Sequence, residues 1–214
     1  MRRLFAALAL CLGAYLSAHA DVFDFPLTAA TQDEFAAVCA VLSAHAIQKG
    51  DFTQTKHIAK LNRNLVSSGA YLISRDDGIV WQTKKPFPST LTVTSTAVMQ
   101  TTASGKKSVL IAGSNPTFES FSTIISSVFV GGDRLNAQQF DIYFSPSPNG
   151  WTIALVPKDA AIRAVAQQFV LCGTATLQSV TMHEPGGDFV RYEFANQSFP
   201  ATLTDDEKAL FAAQ

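Results

Sequence analysis

Charge, histidine and cysteine are all scarce in this chain. Only 15% of its 214 residues are Asp, Glu, Lys or Arg. The 16 basic residues and 17 acidic ones nearly cancel and form no basic stripe, which excludes nucleic acid as a partner. The histidines stand far apart at His19, His45, His57 and His183. No H-E-x-x-H, G-x-S-x-G, phosphate-binding loop or C-x-x-C is present, so the expectation is no metal, no cofactor and no enzyme. A hydrolase triad assembled in space from scattered residues stays open as an alternative, because triads are set by geometry. Asp76-Asp77-Gly78 lacks the remaining ligand positions of a calcium loop and reads as a turn. No apolar run reaches the roughly 20 residues of a spanning helix, so no stable membrane insertion is expected.

The N-terminus carries a different signal. Met1-Arg2-Arg3, the apolar run Leu4–Leu16 and Ser17-Ala18-His19-Ala20 have the three parts of a secretory signal peptide. Cleavage after Ala20 leaves residues 21–214 as one domain. A lipidated Cys11 is the weaker reading, because the residue before such a cysteine is small and here it is Leu10. Only Cys39 and Cys172 then remain. An isolated pair in an oxidising compartment invites a disulfide, worth about 2–4 kcal/mol in the chain-entropy view. Two buried thiols are the alternative.

What the chain has is phenylalanine, 16 of them, and alternation. Gly50–His57, Ser68–Arg75, Ile79–Thr83 and Leu91–Val93 alternate apolar and polar residues, and Asp77-Gly78 sits between two of the runs as a hairpin turn. They predict an antiparallel meander in chain order. Period two puts Tyr71, Ile73 and Arg75 on one face, Ile79 with Trp81, and Phe52 with Gln54 and Lys56. Ala97–Thr102 with Ser108–Ala112, and Phe140–Phe144 with Trp151–Val156, predict two more hairpins. Gln168–His183 with Phe189–Asn196 predict another. Thr31-Gln32-Asp33-Glu34 has the pattern of a capping box, and the spacing of Phe35, Val38, Cys39 and Leu42 predicts a helix over 32–48 with Gly50 at its end. Asn115-Pro116 opens an apolar stripe through Phe118, Phe121, Ile125 and Phe129, free of charge from Ser120 to Gly132, which predicts a helix over 115–131. A strand is the competing reading there. A short helix over 157–166 and a second capping box at Thr204-Asp205-Asp206-Glu207 follow.

Phe52-x-Gln54, Gly69 with Arg75 six residues on, then Gly78, Trp81 and Pro86 come in an order and spacing that resembles the outer-membrane lipoprotein carrier (LolA-like) family. The match runs over residues 50–93. The chain departs from the family at Ser95-Thr96-Ala97, where many members carry an Asp-Gly turn and an aromatic residue. The resemblance implies an α+β fold, an unclosed antiparallel β half-barrel capped by helices. It implies a monomeric periplasmic carrier whose concave cavity holds the acyl chains of a lipoprotein or another lipophilic cargo. It also implies an inner-membrane donor protein and an outer-membrane acceptor protein. On this resemblance the cavity is lined by Phe52, Tyr71, Ile73, Trp81, Leu91, Val93, Phe140, Ile142, Trp151 and Tyr192. Phe118, Phe121, Ile125 and Phe129 form a lid, and Arg75 tethers it. The competing readings are a buried core segment for the lid and an arginine snorkelling at the sheet edge for Arg75. A carrier for a polyene or glycolipid of a dedicated biosynthetic system is an alternative, as is an envelope lipid sensor.

Overall fold

The computed structural model describes residues 21–111, 135 and 137–212. The expected leader 1–20 and the helix 115–131 with Phe118, Phe121, Ile125 and Phe129 lie outside the described residues.

Among the described residues, eleven strands form one antiparallel sheet. β1 (Ile47–Ile58), β2 (Arg63–Ser74), β3 (Gly78–Lys85), β4 (Ser89–Val93), β5 (Ala97–Thr102) and β6 (Lys107–Ile111) follow one another as a meander. β7 (Phe140–Ser147), β8 (Gly150–Pro157), β9 (Gln168–Gly173), β10 (Leu177–His183) and β11 (Phe189–Ser198) form a second one. β1 pairs with β11, so the spatial order is β6-β5-β4-β3-β2-β1-β11-β10-β9-β8-β7. The sheet ends on β6 and β7 and is not closed, which is the predicted half-barrel. Residues 25–27 cover the β7 edge. Leu27 N–H donates to the Ile142 carbonyl at 2.9 Å and Phe144 N–H to the Phe25 carbonyl at 2.9 Å. A covered edge offers fewer unpaired groups to a foreign strand.

The Asp77-Gly78 turn forms as the sequence predicts. Ser74 Oγ donates to Asp77 Oδ2 at 2.5 Å, and Ser74 pairs with Gly78.

Four expectations are corrected. Helix α1 spans Gln32–Leu42, not 32–48, and Ser43 caps it with its N–H on the Cys39 carbonyl. Gly50 lies inside β1, where a side-chain carbon would stand 2.7 Å from the Ala195 carbonyl oxygen and 3.1 Å from the Tyr71 ring. It answers a close approach at a bulge in the β1–β11 register, not a helix end. Thr31 does not build the capping box. Its Oγ1 accepts from Thr28 N–H at 3.2 Å instead. Gln168–His183 is two strands, because the chain turns at 174–176 with Thr174 N–H on the Thr176 carbonyl.

The expected disulfide is the fourth. No bridge joins Cys39 to Cys172. Along β9 Phe169 and Leu171 point into the main core, so the alternating Cys172 points to the other face. There its Sγ lies 3.8 Å from Thr152 Oγ1. Cys39 packs in the main core from α1. The two thiols stand on opposite faces of one sheet.

Two apolar clusters result. The large one lies on the face that α1 covers, with Phe35 edge-on to Phe144 at 5.6 Å. The small one joins Ile47, Leu72 and Val80 to Leu203 and Phe211 on the opposite face. Helix α2 is Ala160–Arg163, and helix α3 is Asp205–Ala209. α3 carries the predicted capping box of Thr204 and Glu207. Glu207 also receives Lys49 Nζ at 2.7 Å, and this pair with the Thr204 N–H holds its carboxyl below the usual carboxylate range.

Candidate functional site: the concave aromatic face

All ten residues expected to line the cavity belong to the large cluster. Phe52, Tyr71, Ile73, Val93, Phe140, Ile142 and Trp151 are buried in it, and Trp81, Leu91 and Tyr192 are partly buried against it. The register explains the gathering. Phe52 faces Phe194 across the β1–β11 seam, Tyr71 faces Trp81, and Trp81 faces Leu91. Ile73 with Ile79 and Val93 makes the next row, and Ile142 with Leu155 and Phe169 lies across the sheet.

Trp81 is the centre of an aromatic group. Its ring lies 4.5 Å from Phe52, 5.7 Å from Tyr71, 5.1 Å from Tyr192 and 6.1 Å from Phe194. The contacts to Tyr192 and Phe194 are edge-on, the geometry that aromatic quadrupoles prefer.

Both tyrosines carry a polar handle into this group. Gln48 Nε2 donates to Tyr71 Oη at 3.1 Å and to Gln197 Oε1 at 3.0 Å. Gln197 Nε2 donates in turn to the Leu177 carbonyl at 2.6 Å. Burial pushes the Tyr71 phenol up to about 12, against the lowering bond from Gln48, and burial beside Glu184 pushes Tyr192 up to about 12. A phenol raised in the folded state costs nothing below its ordinary value of about 10. Stability then falls as pH climbs from about 10 through about 12. A spectrophotometric titration of the native protein is expected to show two phenols ionising only near pH 12, together with loss of the sheet. Early, reversible ionisation of all phenols would contradict the buried aromatic group.

Lys56 extends the same face toward the β10–β11 turn. Its Nζ lies 2.5 Å from Glu184 and 3.7 Å from Asp188, with each side chain about a quarter exposed. Sequence reasoning placed Lys56 on this face but did not find its carboxylate partners, which come from the far half of the chain.

Arg75 lies just past β2. Its Nη2 donates to the Ser43 carbonyl at the C-terminus of α1, and its N–H donates to the Ala46 carbonyl at 2.8 Å. A cation there meets the negative end of the helix dipole. So among the described residues the arginine holds α1. The segment 115–131, which it was expected to tether, is outside them. Arg75→Leu is expected to cost about 0.5–1.5 kcal/mol, typical of one hydrogen bond to a helix end. Hydrogen exchange should quicken in α1 while the sheet amides keep their protection. Unchanged α1 exchange would remove this role.

Between α1 and β7 lies a cavity of about 490 Å³ lined by Leu27, Phe35, Cys39, Leu135 and Ile142 among others. This is within the range of small-molecule sites. Of the ten expected residues, only Ile142 lines it. The same cluster also buries residues that the sequence reading did not assign to it, among them Phe169, Leu171 and Val180. Their alternation was visible, but reading 168–183 as one strand hid the register.

The model of the outer membrane lipoprotein carrier protein LolA family matches residues 44–211. The chain belongs to the LolA family. The match begins beside β1 and ends in the segment after α3, so it takes in both halves of the sheet. A LolA superfamily protein from Nitrosomonas europaea is similar in structure at 8% identity and a TM-score of 0.46, with 84% of this chain and 96% of that one covered. A DUF1329 family protein from Desulfovibrio piger is similar at 10% identity and 0.44, covering 80% and 93%. The complex of MucA and MucB from Pseudomonas aeruginosa gives 12% identity and 0.37, covering 84% and 60%. No curated protein matches the sequence. No helix among the described residues is long and apolar enough to cross a membrane.

Proposed function

We propose that this LolA-family protein carries the acyl chains of a lipoprotein, or a related lipophilic cargo, on the concave face of its open sheet. The observation that carries the reading is the gathering of Tyr71, Trp81, Leu91 and Tyr192, framed by the buried Phe52, into one apolar cluster on a sheet that does not close. An open sheet with an aromatic lining offers contact area without a tight shape demand. Moving an acyl chain from a bilayer to such a surface exchanges one apolar environment for another. It is therefore nearly neutral in hydrophobic free energy, and small changes in the protein decide uptake or release. No covalent step is required, so the reading is a carrier and not an enzyme. Residues 1–20 are the leader in this reading, 21–214 the single carrier domain, and the periplasm its compartment. An inner-membrane donor loads it and an outer-membrane acceptor unloads it.

The test is native mass spectrometry of the mature protein purified from periplasm, with lipid extraction of the same sample. The expected result is an acylated or otherwise lipophilic species at near one-to-one stoichiometry, whose extracted chemistry names the cargo. A protein that is empty and also ignores a hydrophobic fluorescent probe would make the concave cluster an ordinary core.

A further inference from the structure

One end of the β1–β6 half carries large apolar side chains that are exposed among the described residues. Phe87 is 82% exposed, Leu61 67%, Val66 57% and Leu65 49%. The register places them at one end of the sheet. Ser68 is paired with Lys85, so the residues 63–67 of β2 run past the last paired residue of β3, alongside the loop 86–88. The turn joining β5 to β6 stands at the same end, because Ala103 N–H donates to the Pro88 carbonyl at 3.0 Å. Thus the turns around 59–62, 86–88 and 103–106 form one edge.

The charges at this edge have one dominant sign. Lys60, Arg63, Lys84, Lys85, Lys106 and Lys107 are all exposed. Among the described residues none of the six has an ion-pair partner. The nearby carboxylates are engaged: Glu184 and Asp188 hold Lys56, and Asp188 also accepts from Ala59 N–H at 2.9 Å. Asp76 and Asp77, the only acidic residues between 52 and 111, occupy the β2–β3 turn at the opposite end. Exposed apolar tips ringed by unpaired cations match the two layers of a lipid surface: side chains enter the acyl boundary while lysines meet anionic headgroups.

We propose that this edge is a docking surface for an anionic phospholipid bilayer. The inference goes beyond the cargo reading, since it concerns where the protein meets a membrane and not what the concave face holds.

The test is co-sedimentation of the mature protein with vesicles of phosphatidylglycerol and phosphatidylethanolamine, against phosphatidylcholine vesicles. The wild type is expected to bind the anionic vesicles selectively and to release at about 0.5 M salt, where the screening length falls to a few ångströms. Each neutralised lysine should weaken binding about fivefold, so Lys84→Gln with Lys85→Gln together should lose about 25-fold. Phe87→Ser should lose about tenfold or more. These side chains are exposed, so melting temperature and uptake of a hydrophobic probe should stay as in the wild type. That separates failure here from failure of the cargo reading. Wild-type binding that ignores vesicle charge, variants that sediment like the wild type, or retention only by vesicles containing a membrane protein would each overturn the proposal.

Discussion

Gly69→Val is expected to leave the chain unable to form its sheet. A side-chain carbon at residue 69 would stand 1.9 Å from the Gln82 carbonyl oxygen, 2.8 Å from its carbon and 2.9 Å from Thr83 Cα. All three are backbone atoms, so no rotamer change relieves the collision. The approach has a cause in the register. Ser68 pairs with Lys85 and Gly69 with Thr83, which leaves Lys84 as an extra residue on β3. Such a bulge bends its strand and raises the local twist. The bulge lies opposite Phe52, which pairs with Gly69 from the other side. The glycine is thus part of how the half-barrel acquires its curvature. Even Gly69→Ala carries the offending atom, and a loss above about 4 kcal/mol is expected, a large share of the usual 5–15 kcal/mol total. Circular dichroism melts of both variants check this. A melting temperature within about 4 °C of the wild type, a shift that corresponds to only about 1 kcal/mol at this size, would show that the sheet opens easily at this point.

What could be read from the sequence was what is local. The hairpin at Asp77-Gly78, the rows through Tyr71, Trp81 and Leu91, and the capping box at Thr204 each depend on residues a few positions apart. Their chemistry is complete within one segment. The seam between β1 and β11 is different. It joins residues such as Phe52 and Phe194, and nothing near either one names the other. The same limit hid the partners of Lys56 on Glu184 and Asp188, and the Gln48–Gln197 bond beneath Tyr71. Where local signals misled, two uses of one residue type competed. Gly50 resembled a helix end but serves a bulge beneath the Tyr71 ring. Cys39 and Cys172 looked like a pair because only two cysteines remain after the expected cleavage. One turn missed inside 168–183 was enough to hide that Cys172 faces away from α1. The family resemblance added what periodicity does not hold, the sense of the sheet as an open half-barrel, and the LolA match over 44–211 extends the family assignment beyond the segment 50–93 where it was first visible.

The concave cluster has to be either packing alone or packing that also binds, and two substitutions separate these. Phe52 is 2% exposed at the β1–β11 seam. Phe52→Ala removes a fully buried ring and should cost about 3–5 kcal/mol of stability. Trp81 is only partly buried, although it contacts four rings. Trp81→Leu keeps an apolar side chain at the position but removes the broad indole surface. It should cost less stability than Phe52→Ala and lower the affinity for a hydrophobic probe about tenfold. That loss equals about 1.4 kcal/mol, or at about 25 cal/mol per Å² only part of one ring's surface. Phe52→Ala, measured well below its lowered melting temperature, should bind the probe with nearly wild-type affinity, since its ring serves the seam. Urea denaturation and probe titration on the same samples give both quantities. If the two variants lose stability and binding in a fixed proportion, the aromatic face is core throughout and carries nothing. If they diverge as expected, the open face binds through Trp81 on a frame that Phe52 holds in shape.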